Sequence, residues 1–129
     1  MEIKIGNHCA FNINYHIVFC PKRRKSILVD AIALDCKNII AEVANECNIK
    51  IEALEVLPDH VHAFVSANPK ISPYLIVKKF KGRTSYILRE KYPQLLKLPC
   101  LWSSSYYIGT VGNVSESIVK MYIENQTGK

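Results

Sequence analysis

The chain has 129 residues and a mass of 14.7 kDa, which predicts one compact domain over residues 1–129. Hydrophobic residues make up 49% of the sequence and charged residues 22%, so a disordered tail, a collagen-like rod and a repeat array are excluded. The formal net charge of +6 favours a polyphosphate partner. Neither a membrane span nor a secretory leader is predicted, and five widely spaced cysteines predict reduced thiols. We therefore expect a cytoplasmic protein without a membrane partner.

The first part of the sequence predicts a strand followed by a helix. Residues 12–20 alternate apolar and polar side chains, which is typical of a strand, and Pro21 ends it. Four bases without an acid follow, and these are Lys22, Arg23, Arg24 and Lys25. Over about 29–48, apolar residues recur every three or four positions, which predicts an amphipathic helix.

The middle of the sequence predicts a β-hairpin. Residues 49–57 predict a second strand in which the alternation slips at Leu54 and Val56, so a bulge is expected there. Pro58 and Asp59 are typical turn residues. Residues 60–66 then predict a third strand that pairs with the second.

A second helix is predicted to begin with Ser72 as N-cap and Pro73 at its first position, and to end near Lys91. Gly82 lowers the helix propensity in the middle of this helix, and because it has no side chain it allows another group to approach the helix closely. The residues that can face the core are Ile76, Val77, Phe80, Thr84, Ile87 and Leu88. The basic residues predicted on the wet face or beside it are Lys78, Lys79, Lys81, Arg83 and Arg89.

The end of the sequence predicts a fourth strand over 102–111 and a last helix over about 114–125, capped by Asn113 and Glu116. The predicted order is strand, helix, strand, strand, helix, strand, helix. Its first six elements are those of an α+β, ferredoxin-like (RRM-like) sandwich, with an antiparallel sheet and helices on one face. The last helix is an addition to that fold.

Two histidines lie two residues apart on the third strand. His60 and His62 therefore project from the same face, about 6.5–7 Å apart at the backbone, and both can converge on one ion. Two unused histidines on a solvated sheet face are the alternative, and an isolated pair would favour that alternative.

The last helix carries Tyr122 and Gln126, four residues apart and so on one helical face. Its predicted apolar stripe is Ile118, Met121 and Ile123, so packing at the edge of that stripe is the alternative for Tyr122. The Gln126 amide oxygen can complete a metal site begun by two imidazoles. Such a nitrogen and oxygen donor set suits Mg²⁺, with Mn²⁺ able to substitute, better than structural zinc. A tyrosine beside that ion can attack a phosphodiester through its phenol oxygen.

These residues resemble the HUH endonuclease superfamily and, within it, the small single-tyrosine transposases of bacterial and archaeal insertion sequences. The resemblance covers almost the whole chain. It is carried by four segments in order: YHIVFCPKRRK at 15–25, LPDHVHAFV at 57–65, KFKGRTSYILREKYP at 79–93 and SSSYYIGTVGNVSESIVKMYIENQ at 103–126.

The resemblance implies a DNA transposase of the prokaryotic cytoplasm that cleaves and rejoins single-stranded DNA beside hairpins at the ends of a mobile element. Tyr122 would form a 5′-phosphotyrosine, and His60, His62 and Gln126 would hold the divalent ion. A homodimer is implied, in which the tyrosine helix can complete the partner's site. A hinge over about 109–113, at Gly109 and Gly112, would allow that helix (114–126) to pack on either subunit.

The basic residues are candidate phosphate contacts, with solvated surface as their alternative. They are Lys22, Arg23, Arg24, Lys25, Lys78, Lys79, Lys81, Arg83 and Arg89. Asp59 is most simply a turn residue, and a bond to a histidine is its second interpretation. Three other functions are weighed: a replication or mobilisation nickase of the same superfamily, a relative that processes repeated palindromes, and a non-catalytic ferredoxin-like nucleic-acid-binding module.

Overall fold

The computed structural model describes residues 3–6, 9–110 and 121–126, and its centre is a four-stranded antiparallel sheet. After a short hairpin of β1 (Lys4–Ile5) and β2 (Ala10–Phe11), the chain enters the sheet at β3 (Asn14–Phe19). The remaining elements are α1 (Asp30–Glu46), β4 (Lys50–Leu57), β5 (His60–Ser66), α2 (Pro73–Lys91) and β6 (Tyr107–Thr110). The strand order is β4-β5-β3-β6, which confirms the predicted ferredoxin-like arrangement.

The hairpin of β4 and β5 sets which residues of β5 face the core. Val61, Ala63 and Val65 are fully buried, because alternate residues of a strand point to opposite faces. The predicted bulge in β4 is confirmed, and it lies between Ile51 and Ala53. It therefore precedes the slip at Leu54 that the sequence pattern displays.

Both helices bury one face against the sheet and each other. Asn48, in the left-handed conformation at φ 57°, ends α1 two residues before the predicted boundary, since a left-handed residue cannot continue the helix. Ser72 caps α2 through a bond from the Leu75 amide at 3.1 Å, and Pro73 occupies the first turn as predicted. The apolar face predicted for α2 is confirmed by its buried residues, which are Ile76, Val77, Phe80, Thr84 and Leu88.

The face of α2 opposite the core is less exposed to solvent in the structure than the sequence predicts. Lys81 and Arg89 are half-buried, because the segment after α2 packs over this side of the helix. Their long stems bring the charged groups to main-chain carbonyls: Lys81 Nζ donates to Ser103 at 2.6 Å and Arg89 Nη2 donates to Leu98 at 3.0 Å. The prediction that these two cations point into solvent is wrong.

The fourth strand begins later than predicted. Among the described residues of the predicted strand, Tyr107–Thr110 pairs with β3, while Trp102 forms an isolated bridge with Pro21. The Trp102 ring is buried edge-on against Phe19, and its indole N–H donates to Thr84 Oγ1 at 2.9 Å. These contacts place Trp102 in the core, whereas the sequence pattern predicts it within a strand.

Within the described residues, the last helix is seen over 121–124. Its predicted start and its cap at Asn113 and Glu116 lie outside them. Met121, which is predicted on the apolar stripe of this helix, is 62% exposed in this chain. All five cysteines are unpaired, with Cys9 and Cys100 exposed. In the part of the chain that the structure describes, no helix has the length and apolarity to cross a membrane.

Candidate active site

His60, His62 and Phe64 share the face of β5 that points away from the buried valines. His60 lies opposite Leu57 on β4, and His62 lies between Glu55 on β4 and Val18 on β3. Because directly paired residues of antiparallel strands share a face, this register gathers the histidines on the sheet face opposite α1 and α2.

His60 is held by the residue before it. Its Nδ1 lies 2.9 Å from Asp59 Oδ1, while Asp59 Oδ2 lies 3.4 Å from Arg24 Nε. A carboxylate only accepts, so Nδ1 carries the proton and Nε2 keeps its lone pair. This is the usual arrangement of a metal-binding histidine. Asp59 is a turn residue as predicted, and its second interpretation, a bond to a histidine, is confirmed as well.

His62 has a neighbour that the sequence analysis did not single out. His16 on β3 lies with Nδ1 3.4 Å from His62 Nε2, and its ring stacks on Phe64 at 4.6 Å. Burial lowers the pKa of both His16 and His62, so both rings are uncharged at neutral pH. The sequence does place His16 on the polar side of its alternating strand. The contact with His62, however, depends on the register between β3 and β5, which the sequence pattern does not give.

Tyr122 and Gln126 meet at one serine. Ser105 Oγ lies 3.0 Å from the Tyr122 hydroxyl and donates to Gln126 Oε1 at 2.8 Å. Ser103 Oγ donates to the same amide oxygen at 3.2 Å, and Gln126 is only 2% exposed. Burial raises the pKa of Tyr122, against a smaller lowering by the Ser105 bond. The phenol is therefore protonated at neutral pH, half-buried and oriented, which is more than packing at the edge of an apolar stripe.

The serine segment and the tyrosine helix are tied to the rest of the site by two cations. Lys81 Nζ donates to the Ser103 carbonyl and also lies 3.4 Å from the Ser105 carbonyl oxygen. Arg24 Nη1 donates to the Ile123 carbonyl at 3.4 Å, so Arg24 contacts both the tyrosine helix and the Asp59 that holds His60. Neither role could be found from the sequence, because the partner atoms are main-chain carbonyls far along the chain.

Two imidazoles and one amide oxygen are a donor set that suits a divalent cation. Asp59 holds the Nδ1 side of His60, and the buried Gln126 oxygen accepts hydrogen bonds from Ser103 and Ser105 in this structure. No three His, Cys, Asp or Glu side chains among the described residues converge on a common point, so a site made of those residue types alone is not formed there. His60, His62 and Gln126 therefore remain the predicted ligands of a divalent ion.

The basic candidates fall into two groups. Arg23, Lys25, Lys78 and Lys79 are exposed, and Lys22 is half-buried. The others have partners within the chain: Arg24 and Lys81 in the site, Arg89 at Leu98, and Arg83 in a two-bond ion pair with Glu46 at 2.7 and 3.0 Å. An open cleft of about 360 Å³ lies beside α2 and is lined in part by Tyr74, Lys78, Gly82 and Tyr106. Gly82 has open space where a side chain would project.

The predicted hinge falls at the edge of the described structure. Gly109 lies within β6, paired with His16, and Gly112 lies outside the described residues. The hinge role of the two glycines remains a prediction.

The fold and the site define an α+β, ferredoxin-like protein with histidines on the sheet face away from α1 and α2, and with a tyrosine and a glutamine of its last helical segment in contact with Ser105. The model of the family "Transposase IS200 like" matches residues 9–126. The chain therefore belongs to the IS200-like transposase family, whose members act in DNA transposition.

Individual relatives agree with this membership. The chain is 33% identical to the ISDra2 transposase TnpA of Deinococcus radiodurans, over 100% of this chain and 94% of that protein. It is 30% identical to the transposase for insertion sequence element IS200 of Salmonella typhimurium, over 92% of this chain and 80% of that protein.

Two solved structures share the fold. A crystal structure from Deinococcus radiodurans superposes with a TM-score of 0.90 at 32% identity, covering 98% of this chain and 99% of that one. A REP-associated tyrosine transposase bound to a REP hairpin superposes with a TM-score of 0.59 at 13% identity, covering 93% and 69%. The second likeness concerns the fold alone.

Proposed function

We propose that this transposase cleaves and rejoins single-stranded DNA through Tyr122, beside hairpins at the ends of its element. The observation that carries the proposal is the shared contact of Tyr122 and Gln126 with Ser105. It brings the candidate nucleophile and a candidate metal ligand to one point, on a helix that Arg24 connects to Asp59 and His60.

In the proposed cleavage, the phenol oxygen of Tyr122 forms a bond to phosphorus and the bond from phosphorus to the 3′ oxygen breaks. The phenol proton leaves to solvent, and the 3′ oxygen takes up a proton as it departs. The 5′-phosphotyrosine keeps the energy of the broken bond, so a second 3′-hydroxyl can reverse the step without ATP.

His60, His62 and Gln126 are the proposed ligands of Mg²⁺, for which Mn²⁺ can substitute. Bound there, the cation would polarise the scissile phosphate and neutralise developing charge. Asp59 holds the Nδ1 side of the His60 ring, which leaves Nε2 for the cation, and the Gln126 oxygen accepts from Ser103 and Ser105 when no cation is bound.

The exposed cations support a DNA-binding surface. Lys78 and Lys79 on α2, with Arg23 and Lys25 in the basic loop, are free to contact phosphates without breaking an ion pair that the structure contains. Lys78 also lies over the Tyr74 ring at the mouth of the cleft beside α2, a setting that suits an unpaired base. The hairpin bound by the REP-associated relative supports a hairpin as the ligand.

We also propose a homodimer, as the family resemblance implies. In this chain, Tyr122, Ile123 and Gln126 contact Ser103, Ser105 and Arg24 of the same chain, which is the arrangement in which each subunit completes its own site. Sedimentation of the protein with and without hairpin DNA tests the oligomeric state.

The competing function of a non-catalytic nucleic-acid-binding module has less support. Such a module stacks bases on exposed aromatic rings of its central strands. Here Phe64 is stacked against His16, and Tyr107 is half-buried with its ring centroid 6.0 Å from that of Tyr122. The described sheet face is therefore occupied by the chain's own side chains.

The deciding experiment incubates the protein with Mg²⁺ and an oligonucleotide that carries an imperfect hairpin from DNA flanking the reading frame. We expect a covalent protein–DNA adduct and a free 3′-hydroxyl product with the wild type. Tyr122→Phe should give no adduct while binding the oligonucleotide with unchanged affinity, and Tyr86→Phe, at a 72% exposed tyrosine of α2, is the matched control that keeps full activity. An adduct that survives Tyr122→Phe would contradict the proposal.

A further inference from the structure

Three consecutive serines, 103–105, join Trp102 to β6 and occupy three different environments. Ser103 is buried, Ser104 is exposed and Ser105 is half-buried. The hydroxyls of Ser103 and Ser105 both donate to Gln126 Oε1, at 3.2 and 2.8 Å. Only Ser105 also contacts Tyr122, at 3.0 Å between the two oxygens.

The Ser105 hydroxyl has a single proton, and this determines which group donates and which accepts in each of its hydrogen bonds. A hydroxyl carries one proton and can accept as well. Because Ser105 gives its proton to Gln126 Oε1, it must accept from Tyr122, whose phenol is the donor. The amide orientation is held from the other end, since Gln126 Nε2 donates to the Tyr122 carbonyl at 3.4 Å. The chain of donors therefore runs from Tyr122 to Ser105 to Gln126.

This direction suits the resting protein but not the attacking nucleophile. A phenol that donates to Ser105 holds its proton, whereas an attacking phenol oxygen must lose it. The Gln126 oxygen has the same conflict, because the two hydroxyls occupy the atom that would bind a cation. A rotation of the Ser105 hydroxyl from Gln126 Oε1 toward the Tyr122 oxygen eases both conflicts, because it removes the shorter of the two hydrogen bonds on the amide oxygen and directs a donor at the phenol oxygen.

We propose that Ser105 is a positioning residue that couples cation binding at Gln126 to alignment of the Tyr122 oxygen, by moving its one donated hydrogen bond between them. This inference rests on the proposed function. With the Gln126 oxygen turned to a cation, Ser105 can donate its proton to the phenol oxygen, which lies 3.0 Å away. A donor directed at that oxygen holds it in place, and hydrogen bonds to a charged oxygen are the stronger kind.

The backbone around Ser105 is braced for such a rotation. Lys81 Nζ donates to the Ser103 carbonyl at 2.6 Å and reaches the Ser105 carbonyl at 3.4 Å. The Ser103 amide donates to the Cys20 carbonyl at 2.8 Å, which ties the segment to the end of β3. The hydroxyl can therefore exchange acceptors by turning about its own side-chain bonds, with the main chain held.

The test compares Ser105→Ala, Ser105→Thr and the neighbouring control Ser104→Ala. At saturating hairpin oligonucleotide and Mg²⁺, we expect Ser105→Ala to slow adduct formation about 10- to 100-fold, the range expected when a reacting group loses its alignment. Its affinity for the oligonucleotide should stay within about twofold of the wild type, so the loss appears in the rate constant. Ser105→Thr keeps the hydroxyl and should restore most of the rate, and Ser104→Ala should resemble the wild type.

A second measurement does not depend on catalysis. Mn²⁺ titration of the DNA-free protein should show equal or tighter binding in Ser105→Ala, because one hydroxyl that competes for the Gln126 oxygen is gone. Gln126→Ala, which removes that oxygen, should weaken the binding. Weaker Mn²⁺ binding in Ser105→Ala, or an adduct rate equal to that of Ser104→Ala, overturns the inference. If the wild type itself forms no adduct, the proposed function fails and the inference falls with it; an active wild type beside an equally active Ser105→Ala overturns the inference alone.

Discussion

The contact between Asp59 and His60 gives a sharp prediction for metal affinity. Asp59→Asn keeps the shape of the side chain but removes the carboxylate that lies 2.9 Å from His60 Nδ1 and 3.4 Å from Arg24 Nε. The amide can turn its N–H₂ toward the ring and so permit the wrong tautomer, in which Nε2 carries the proton. Replacing such a partner typically costs about 10- to 100-fold in metal affinity, which corresponds to roughly 1.4–2.7 kcal/mol.

The assay is the binding of Mn²⁺ to the DNA-free protein, with free Mn²⁺ followed by electron paramagnetic resonance. We expect the Asp59→Asn dissociation constant to rise by that factor, while the urea midpoint changes little because Asp59 lies on a turn at the surface. Glu90→Gln, which removes one exposed negative charge from α2, is the control for net charge and should bind Mn²⁺ like the wild type. Equal affinities for Asp59→Asn and the wild type would refute the assignment of Asp59 as the residue that orients His60.

Two further predictions concern stability. Thr84→Val leaves the buried indole N–H of Trp102 without its acceptor at 2.9 Å. Urea denaturation should therefore show that the free energy of unfolding falls by about 1–3 kcal/mol. Thr84→Ser keeps the hydroxyl and should lose less stability, and equal losses in the two variants would show that the bond is unimportant. Burial lowers the folded-state pKa of His62 and His16, so between those pKa values and the unfolded value near 6.5 the unfolded chain binds more protons. Metal-free protein should therefore be more stable at pH 7.5 than at pH 5, and His62→Gln should flatten that dependence; an unchanged slope would contradict the contribution of His62.

The sequence pattern was sufficient to predict features that depend on residues within a single helix or strand. The strand at 60–66 and its two histidines, the Ser72 cap and the core face of α2 all follow from periodicity and side-chain chemistry within a few residues. The i, i+4 spacing of Tyr122 and Gln126 likewise defines a shared helical face. The four-segment resemblance then pointed to the transposase family, which the family match confirms.

What local pattern could not supply are contacts between elements remote in sequence. Lys81 reads as a solvated lysine on an amphipathic helix, yet it is half-buried because the segment after α2 folds over it and supplies carbonyl acceptors. Trp102 reads as part of a strand, but its indole is drawn into the core by Phe19 and Thr84. In each case the free energy of burial and of satisfied polar groups outweighs the weaker local preference.

By itself, the sequence determined the order of elements, the ferredoxin-like class, the candidate chemistry of His60, His62, Tyr122 and Gln126, and the family. Only the tertiary structure decided that Asp59 orients His60, that His16 lies against His62 and that Ser105 stands between the phenol and the amide. The physical reason is that periodicity specifies which face a side chain takes, while hydrogen-bond partners depend on strand register and on where irregular segments pack.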